Sequence, residues 1–229
     1  MARSLRIFIA LFLLVTLAPA GAAGLDAISA EESGGALRQA LSQGAVAAVS
    51  SPGRTDGFLG NPKVKILLPE NLQKAEKLMR KLGMGKYADE FILSMNRAAE
   101  AAVPEAKALL LDAVKQMTLQ DAKAILTGGD DSVTQYFQRT TSEPLTVKFL
   151  PIVRQATERV DLAQQYNRYA KQGAKLGLID KKDASLEGYV TQKALDGLFL
   201  MIAEEERAIR QNPLGQASSL LQKVFGALK

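Results

Sequence analysis

At 229 residues, with 47% hydrophobic and 23% charged residues, the chain has the balance of a folded globular protein rather than a disordered one. It contains no cysteine and no histidine, which excludes disulfide staples, Ser-His-Asp and Cys-His triads and Cys/His zinc sites, and leaves any catalysis to carboxylates, Lys, Tyr or Ser. The net charge of +5 is mild and does not argue for nucleic acid, which needs a clustered basic face.

The chain opens with Met1-Ala-Arg-Ser-Leu-Arg6, which carries two positive charges and no acid. Ile7 to Leu17 is an almost unbroken apolar run, followed by the small residues Ala18 to Gly24 around Pro19. A charged start, a short apolar run and an A-x-A site read as a secretory signal peptide over residues 1–23. The run is about a dozen residues, short of the roughly 20 that span a bilayer. The expectation is export to the periplasm, with cleavage between Ala20 and Gly24. Loss of Arg3 and Arg6 takes two charges from +5 and leaves +3. No later stretch reads as a transmembrane helix, and no cysteine follows the signal to carry a lipid, so a soluble mature chain is expected.

Residues 24–56 read as an N-terminal helix and connector. Leu37, Leu41, Ala45 and Ala48 recur at helical spacing between Ser33 and Val49, and Ser50-Ser51-Pro52-Gly53 breaks the pattern. Residues 57–229 read as one helical domain. Gly57 to Pro62 is a glycine-rich connector, and Lys63-Val64-Lys65-Ile66 alternates as a short extended stretch. Pro69 suits a first helical position, and Gly83 suits the stop. The helix from Lys86 to Ala102 has a wide stripe of Phe91, Ile92, Met95, Ala98, Ala99 and Ala102, widened by Leu93, and so should be central.

Pro104 opens the next helix, with Leu109, Leu110, Ala113, Val114 and Met117 inward. Thr118 and Asp121 resemble a capping box for a short helix ending at Gly128-Gly129. Asp130 or Asp131 then caps a helix through Arg139. Ser142-Glu143-Pro144 starts another to Val160, with Phe149, Leu150, Val153 and Ala156 inward and Pro151 as a kink. A strand over Leu145–Phe149 is the alternative. Asp161–Lys171 reads as helix and Gly173–Asp183 as a polar connector. Ser185 caps a long helix to Gln211, and a last helix holds Ala217, Leu220, Leu221, Val224, Phe225 and Leu228 on one face. The expected architecture is all-α, a compact bundle of eight to ten helices with at most a trace of strand.

Searches for a nucleophile elbow and a phosphate loop are empty; Gly83-Met84-Gly85 reads as a turn between helices. Asp180, Asp183, Ser185 and Glu187 lack the spacing of a calcium loop. Three polar groups stand out: Asn96, Arg97 and Glu100; Asp130 and Asp131 with Tyr136; and Glu204, Glu205 and Glu206 with Arg210. Each reads either as a structural ion-pair network or as a ligand site, since both perturb the same residue types. Glu206 and Arg210, one turn apart, should pair. Arg97, on a largely apolar helix, should reach Glu204, Glu205 or Glu206 on a distant one. Gly197, between Leu195 and Leu198, marks a close approach of another helix.

Six segments together resemble a known family. They are Gly57–Ile66, Met95–Glu100, Met117–Ala122, Ile125–Asp130, Tyr189–Phe199 and Glu205–Arg210. The chain resembles the bacterial domain of unknown function 4197 family. The resemblance implies a mainly helical, exported protein of Gram-negative bacteria, and it implies no reaction, cofactor or metal. Relatives with a lipobox cysteine differ from this chain, which has none.

Three functions fit these observations. The first is a periplasmic non-enzymatic module that binds a protein or cell-envelope component. The second is a carrier of an apolar or amphiphilic ligand between helices. The third is a hydrolase or transferase built on paired carboxylates from Glu100, Glu105, Asp130 and Asp131, which would have to meet in one cleft.

Overall fold

The computed structural model describes residues 30–158, 164, 166–167 and 185–211. The signal peptide, the Asp161–Lys171 helix, the Gly173–Asp183 connector and the last helix fall wholly or largely outside them. The described residues are helical and contain no strand. The helices are α1 (Ala30–Ser50), α2 (Glu70–Lys81), α3 (Gly85–Ala102), α4 (Ala106–Gln116), α5 (Leu119–Thr127), α6 (Ser132–Thr157) and α7 (Leu186–Gln211), with a 3-10 turn (Val103–Glu105) between α3 and α4. An all-α architecture is therefore present, but the described residues do not make up the expected eight to ten helices. None of these helices is long and apolar enough to cross a membrane.

The apolar stripes read from the sequence explain how the helices meet. Helices α6 and α7 pack along one another, and α3 lies against both. Helix α1 packs on α4 and α7, and α5 closes against α6. Phe91 and Met95 of α3, Leu110 of α4, Phe137, Leu145 and Phe149 of α6, and Leu198 of α7 are all buried in one continuous core, which also takes in Leu37 and Leu41 of α1. Leu93 does not widen the α3 stripe. It is 39% exposed, because it points away from the face that α6 and α7 cover.

Helix ends follow the chemistry of their residues. Helix α2 closes in a Schellman motif: Met84 N donates to Met79 O at 2.8 Å and Gly83 N donates to Arg80 O at 3.2 Å. Gly83 takes a φ of +77°, a conformation open to glycine. Helix α5 carries the full capping box. Asp121 N donates to Thr118 Oγ1 at 3.1 Å and Thr118 N donates to Asp121 Oδ2 at 3.1 Å. Asp131 is the N-cap of α6 but gives no side-chain cap bond.

The largest departure from the sequence reading is α6. It is one helix of 26 residues, not two, and Pro144 lies inside it rather than at a start. The alternating segment Leu145–Phe149 is helical, not a strand. Both Pro144 and Pro151 are exposed, as are Thr140 and Val147 one turn before them. The bond that each proline removes is therefore lost on the solvent side of the helix, where water can reach the carbonyl left over. Hydroxyls bond the preceding turns: Thr140 Oγ1 to Tyr136 O at 2.8 Å, Thr141 Oγ1 to Phe137 O at 2.6 Å and Ser142 Oγ to Gln138 O at 2.6 Å. The inward line is Leu145, Phe149, Val153 and Thr157. Ala156 is exposed, and buried Thr157 hides its hydroxyl on Val153 O at 2.9 Å.

The capping box makes a first prediction. The hydroxyl of Thr118, with its backbone N–H, holds the Asp121 carboxyl below the usual carboxylate range. Thr118→Ala is expected to cost about 1 kcal/mol at neutral pH. A carboxyl depressed in the folded state stabilises above the unfolded value of about 3.9 and loses that contribution as pH falls through the folded value. Melting curves should therefore show the gap between wild type and Thr118→Ala narrowing below about pH 4.

Candidate functional site

The connector between α1 and α2 (residues 51–69) is a chain of tight turns and then an extended stretch. Gly57 N donates to Arg54 O, Gly60 N to Asp56 O and Asn61 N to Phe58 O. These turns drive the Phe58 ring fully into the core. The connector has few neighbours of its own secondary structure, so its backbone groups need partners from side chains. Two residues of α3 supply them.

Asn96, fully buried, works as a substitute strand. Its Oδ1 accepts from Ile66 N at 2.9 Å, and its Nδ2 donates to Ile66 O at 2.8 Å and to Ile92 O at 2.7 Å. The expected extended stretch at Lys63–Ile66 thus lies at 65–69 and is paired by a side-chain amide, not by a strand. One turn on, Glu100 Oε1 accepts from Phe58 N at 3.0 Å and Leu59 N at 3.1 Å. Its Oε2 accepts from Arg97 Nη1.

Arg97 does not reach Glu204, Glu205 or Glu206. Its second arm pairs with Asp56 at 2.7 Å, on the connector. Its side chain is 38% exposed, because the face of α3 that carries it is covered by the connector rather than by a helix. Glu100 and Asp56 raise its already high pKa. Glu204 pairs instead with Lys63 at 2.5 Å, also from the connector. We expect Arg97→Ala to lower the melting temperature less than Glu100→Ala does. The second change strips the buried Phe58 N–H and the part-buried Leu59 N–H of their acceptor, while the first removes a half-exposed side chain whose pair with Asp56 lies at the surface.

A third polar centre joins α5, α6 and α7. Glu206 of α7 is buried against the start of α6. Its Oε1 accepts from Val133 N at 3.0 Å, and its Oε2 accepts from Thr134 N at 2.9 Å and Thr134 Oγ1 at 2.8 Å. Helix α6, which has no side-chain cap of its own, is therefore capped by a carboxylate from another helix, where the helix dipole favours a negative charge. Arg210 completes the centre. Its Nη2 lies 3.0 Å from Glu206 Oε1, 2.7 Å from Ser132 Oγ and 3.2 Å from Ile125 O. The expected Glu206–Arg210 pair is present.

The other candidates fall elsewhere. Tyr136 is a core residue whose hydroxyl donates to Ala113 O at 2.7 Å, and burial pushes its pKa up. Asp130 and Asp131 are exposed on the α5–α6 turn, and Asp131 accepts from Gln135 at 2.9 Å. Glu105 is exposed beside Lys148, at 3.6 Å. Glu100, Glu105, Asp130 and Asp131 share no partner. Among the described residues no group of three acidic side chains gathers as a metal site. The Asn96–Glu100 and Glu206–Arg210 groups are each assembled, but as separate anchors.

Reasoning from sequence missed Asp56, Lys63, Ser132 and Thr134, and also Asn167. Asn167 Oδ1 accepts from Leu186 N at 2.7 Å, and its Nδ2 donates to Glu187 at 2.8 Å, helping Ser185 to start α7. Nothing in the spacing marks these residues, since each acts on a segment distant in sequence.

A cleft lies between α1, α6 and α7. It is a narrow cleft of about 30 Å³, lined by Leu41, Gly44 and Ala45 of α1, Phe137 of α6, and Ile202 and Ile209 of α7. Glu205 stands at its edge and also borders the outer groove that holds Lys63, Glu204 and Arg207.

A family model described as a protein of unknown function (DUF4197) matches residues 27–226. The chain belongs to the DUF4197 family. No curated protein and no solved structure matches it. In this DUF4197 chain the segments that carry the resemblance coincide with the polar anchors. Gly57–Ile66 and Met95–Glu100 face one another through Asn96 and Glu100, while Ile125–Asp130 and Glu205–Arg210 meet through Arg210.

Proposed function

We propose that the protein is an exported, non-enzymatic helical module of the periplasm that binds a protein or cell-envelope component. The observation that carries this reading is the use made of the buried carboxylates. Glu100 and Glu206 have their oxygens occupied by backbone N–H groups and arginines that hold helices and connector together. A carboxylate has about four acceptor sites; Glu206 accepts five bonds and Glu100 three, so both are committed to holding the fold. The charged start and small-residue site at residues 1–23 support export. Fractionation of a Gram-negative host expressing the full chain, with sequencing of its N-terminus, tests the setting. A periplasmic chain starting between Ala20 and Gly24 is expected, and a cytoplasmic chain starting at Met1 overturns it. Native mass spectrometry of the protein taken gently from the envelope tests the binding role, for which a bound subunit or envelope component is expected.

The apolar cleft between α1, α6 and α7 supports a second reading, a carrier of an amphiphile, in which α1 moves outward on binding, because the closed cleft of about 30 Å³ has room for only a few water-sized groups. Its lining is almost wholly apolar, and Glu205 at the edge would select a cationic head group. A co-purifying small amphiphile in the same spectra, lost on Gly44→Phe, would select this reading. An empty protein would remove it.

A further inference from the structure

The α2–α3 hairpin has a surface unlike the rest of the molecule. Leu78 and Leu82, one turn apart on α2, are 58% and 66% exposed. Met84 in the turn and Tyr87 in the first turn of α3 are 45% and 52% exposed. The remaining large exposed apolar residues are scattered, Leu67 on the connector, Leu93 two turns further along α3, and Leu119, Val147 and Leu200 singly on α5, α6 and α7, which is ordinary for a protein surface. Four gathered at one tip are not ordinary.

The surroundings of this tip are basic. Lys74 to Tyr87 contains Lys74, Lys77, Arg80, Lys81 and Lys86 against the single acid Glu76. Arg80 takes both Glu76, at 2.9 Å, and Asp89, at 2.6 Å, so the nearest acids are already neutralised. The four lysines enter no ion pair among the described residues, and Lys86 stands over the Tyr87 ring at 5.7 Å. Glu90 is one helical turn deeper, away from the tip. Helix α2 packs mainly on α3, so the hairpin projects from the body.

We propose that this hairpin tip docks on an anionic phospholipid surface, with Leu78, Leu82, Met84 and Tyr87 entering the head-group region and Lys74, Lys77, Lys81 and Lys86 meeting lipid phosphates. The inference names the partner for the proposed envelope-binding role and rests on that reading. The physical case is complementarity of two kinds at one place. Leucine and methionine gain by leaving water, tyrosine suits the interface, and uncommitted lysines are drawn to a negative bilayer. A protein partner would ordinarily be met by a surface depleted of lysine at its centre, whereas here lysines alternate with the apolar residues.

The chain contains no tryptophan, which makes a site-specific test direct. Leu82→Trp in the full chain places a single fluorophore at the tip, and Val147→Trp places one on the exposed side of α6. Vesicles of equimolar phosphatidylglycerol and phosphatidylcholine should shift Leu82→Trp emission to the blue and shield it from acrylamide. Pure phosphatidylcholine should not, and Val147→Trp should not respond to either. Adding Lys77→Gln and Lys81→Gln to Leu82→Trp should weaken partitioning about thirtyfold at low salt. An unshifted Leu82→Trp, an equal shift at both sites, or partitioning indifferent to the two lysines would each overturn the proposal. If Leu82→Trp loses its helical circular dichroism, Tyr87→Trp gives the same readout. Because the measurement uses purified protein and defined lipid, its failure removes the bilayer as partner, while cell fractionation and native mass spectrometry judge the wider reading separately.

Discussion

Replacing Glu206 with Ala is expected to lower stability by about 3–5 kcal/mol, the cost of removing one member of a buried ion pair. The carboxylate side chain is 2% exposed and its partner Arg210 is 12% exposed, so water repairs little of the loss. The change strips Val133 N, Thr134 N and Thr134 Oγ1 of their acceptor and leaves the start of α6 without a cap. It also leaves Arg210 facing a helix N-terminus, which repels a cation. For a chain of this length the loss corresponds to a melting shift on the order of 10 °C. Glu206→Gln keeps one acceptor oxygen and should fall between. Arg210→Ala alone should also destabilise, and the double variant should lose less than the sum of the two, because no unpaired charge then remains. Additive losses in thermal denaturation would mean that the two residues act separately.

Gly197 should tolerate no side chain. A Cβ there would lie 2.6 Å from Phe58 Cε1, 3.0 Å from Phe58 Cζ and 3.2 Å from Val64 Cβ. Phe58 is fully buried and pinned by the Glu100 bond to its own N–H, so its ring has nowhere to go. Alanine would add about 1 kcal/mol of helix propensity. Overpacking costs about 1–3 kcal/mol and more where the neighbour is rigid. We expect Gly197→Ala to be destabilising on balance by about 2 kcal/mol and Gly197→Val by more. Phe58→Leu removes the two ring atoms nearest the new Cβ. The pair Gly197→Ala and Phe58→Leu should therefore be more stable than the sum of the single changes, with a coupling of about 1 kcal/mol or more. A coupling near zero in denaturant titrations would show that the connector lifts off α7 instead.

The two positions also separate what local sequence specifies from what it does not. The period of the apolar residues placed α1, α3 and α4, because an amphipathic helix needs only its own stripe to be recognised. The Thr118 capping box, the Gly83 stop and the Ser185 start were legible for the same reason, since donor and acceptor lie within five residues of each other. The Glu206–Arg210 pair was legible as a one-turn spacing. Gly197 was legible as a close approach, but the approaching group is the connector ring of Phe58 and not a helix.

Pro144 shows where local rules mislead. Proline disfavours a helix interior in general, but its cost depends on whether the orphaned carbonyl meets water, and that is decided by which side of α6 faces the core. The sequence-distant partners of Asn96, Arg97 and Glu100 were likewise invisible. The side-chain types announced that they must be paired, since a buried polar group cannot stay alone. Nothing along the chain says that Ile66, Asp56 and Phe58 supply those partners, 30 to 42 residues away. The sequence by itself determined the all-α class and which residues seek burial or a bond, because those depend on composition and period. Only the tertiary structure decided who meets whom, because a connector without secondary structure of its own takes its backbone partners from whichever helix face it crosses.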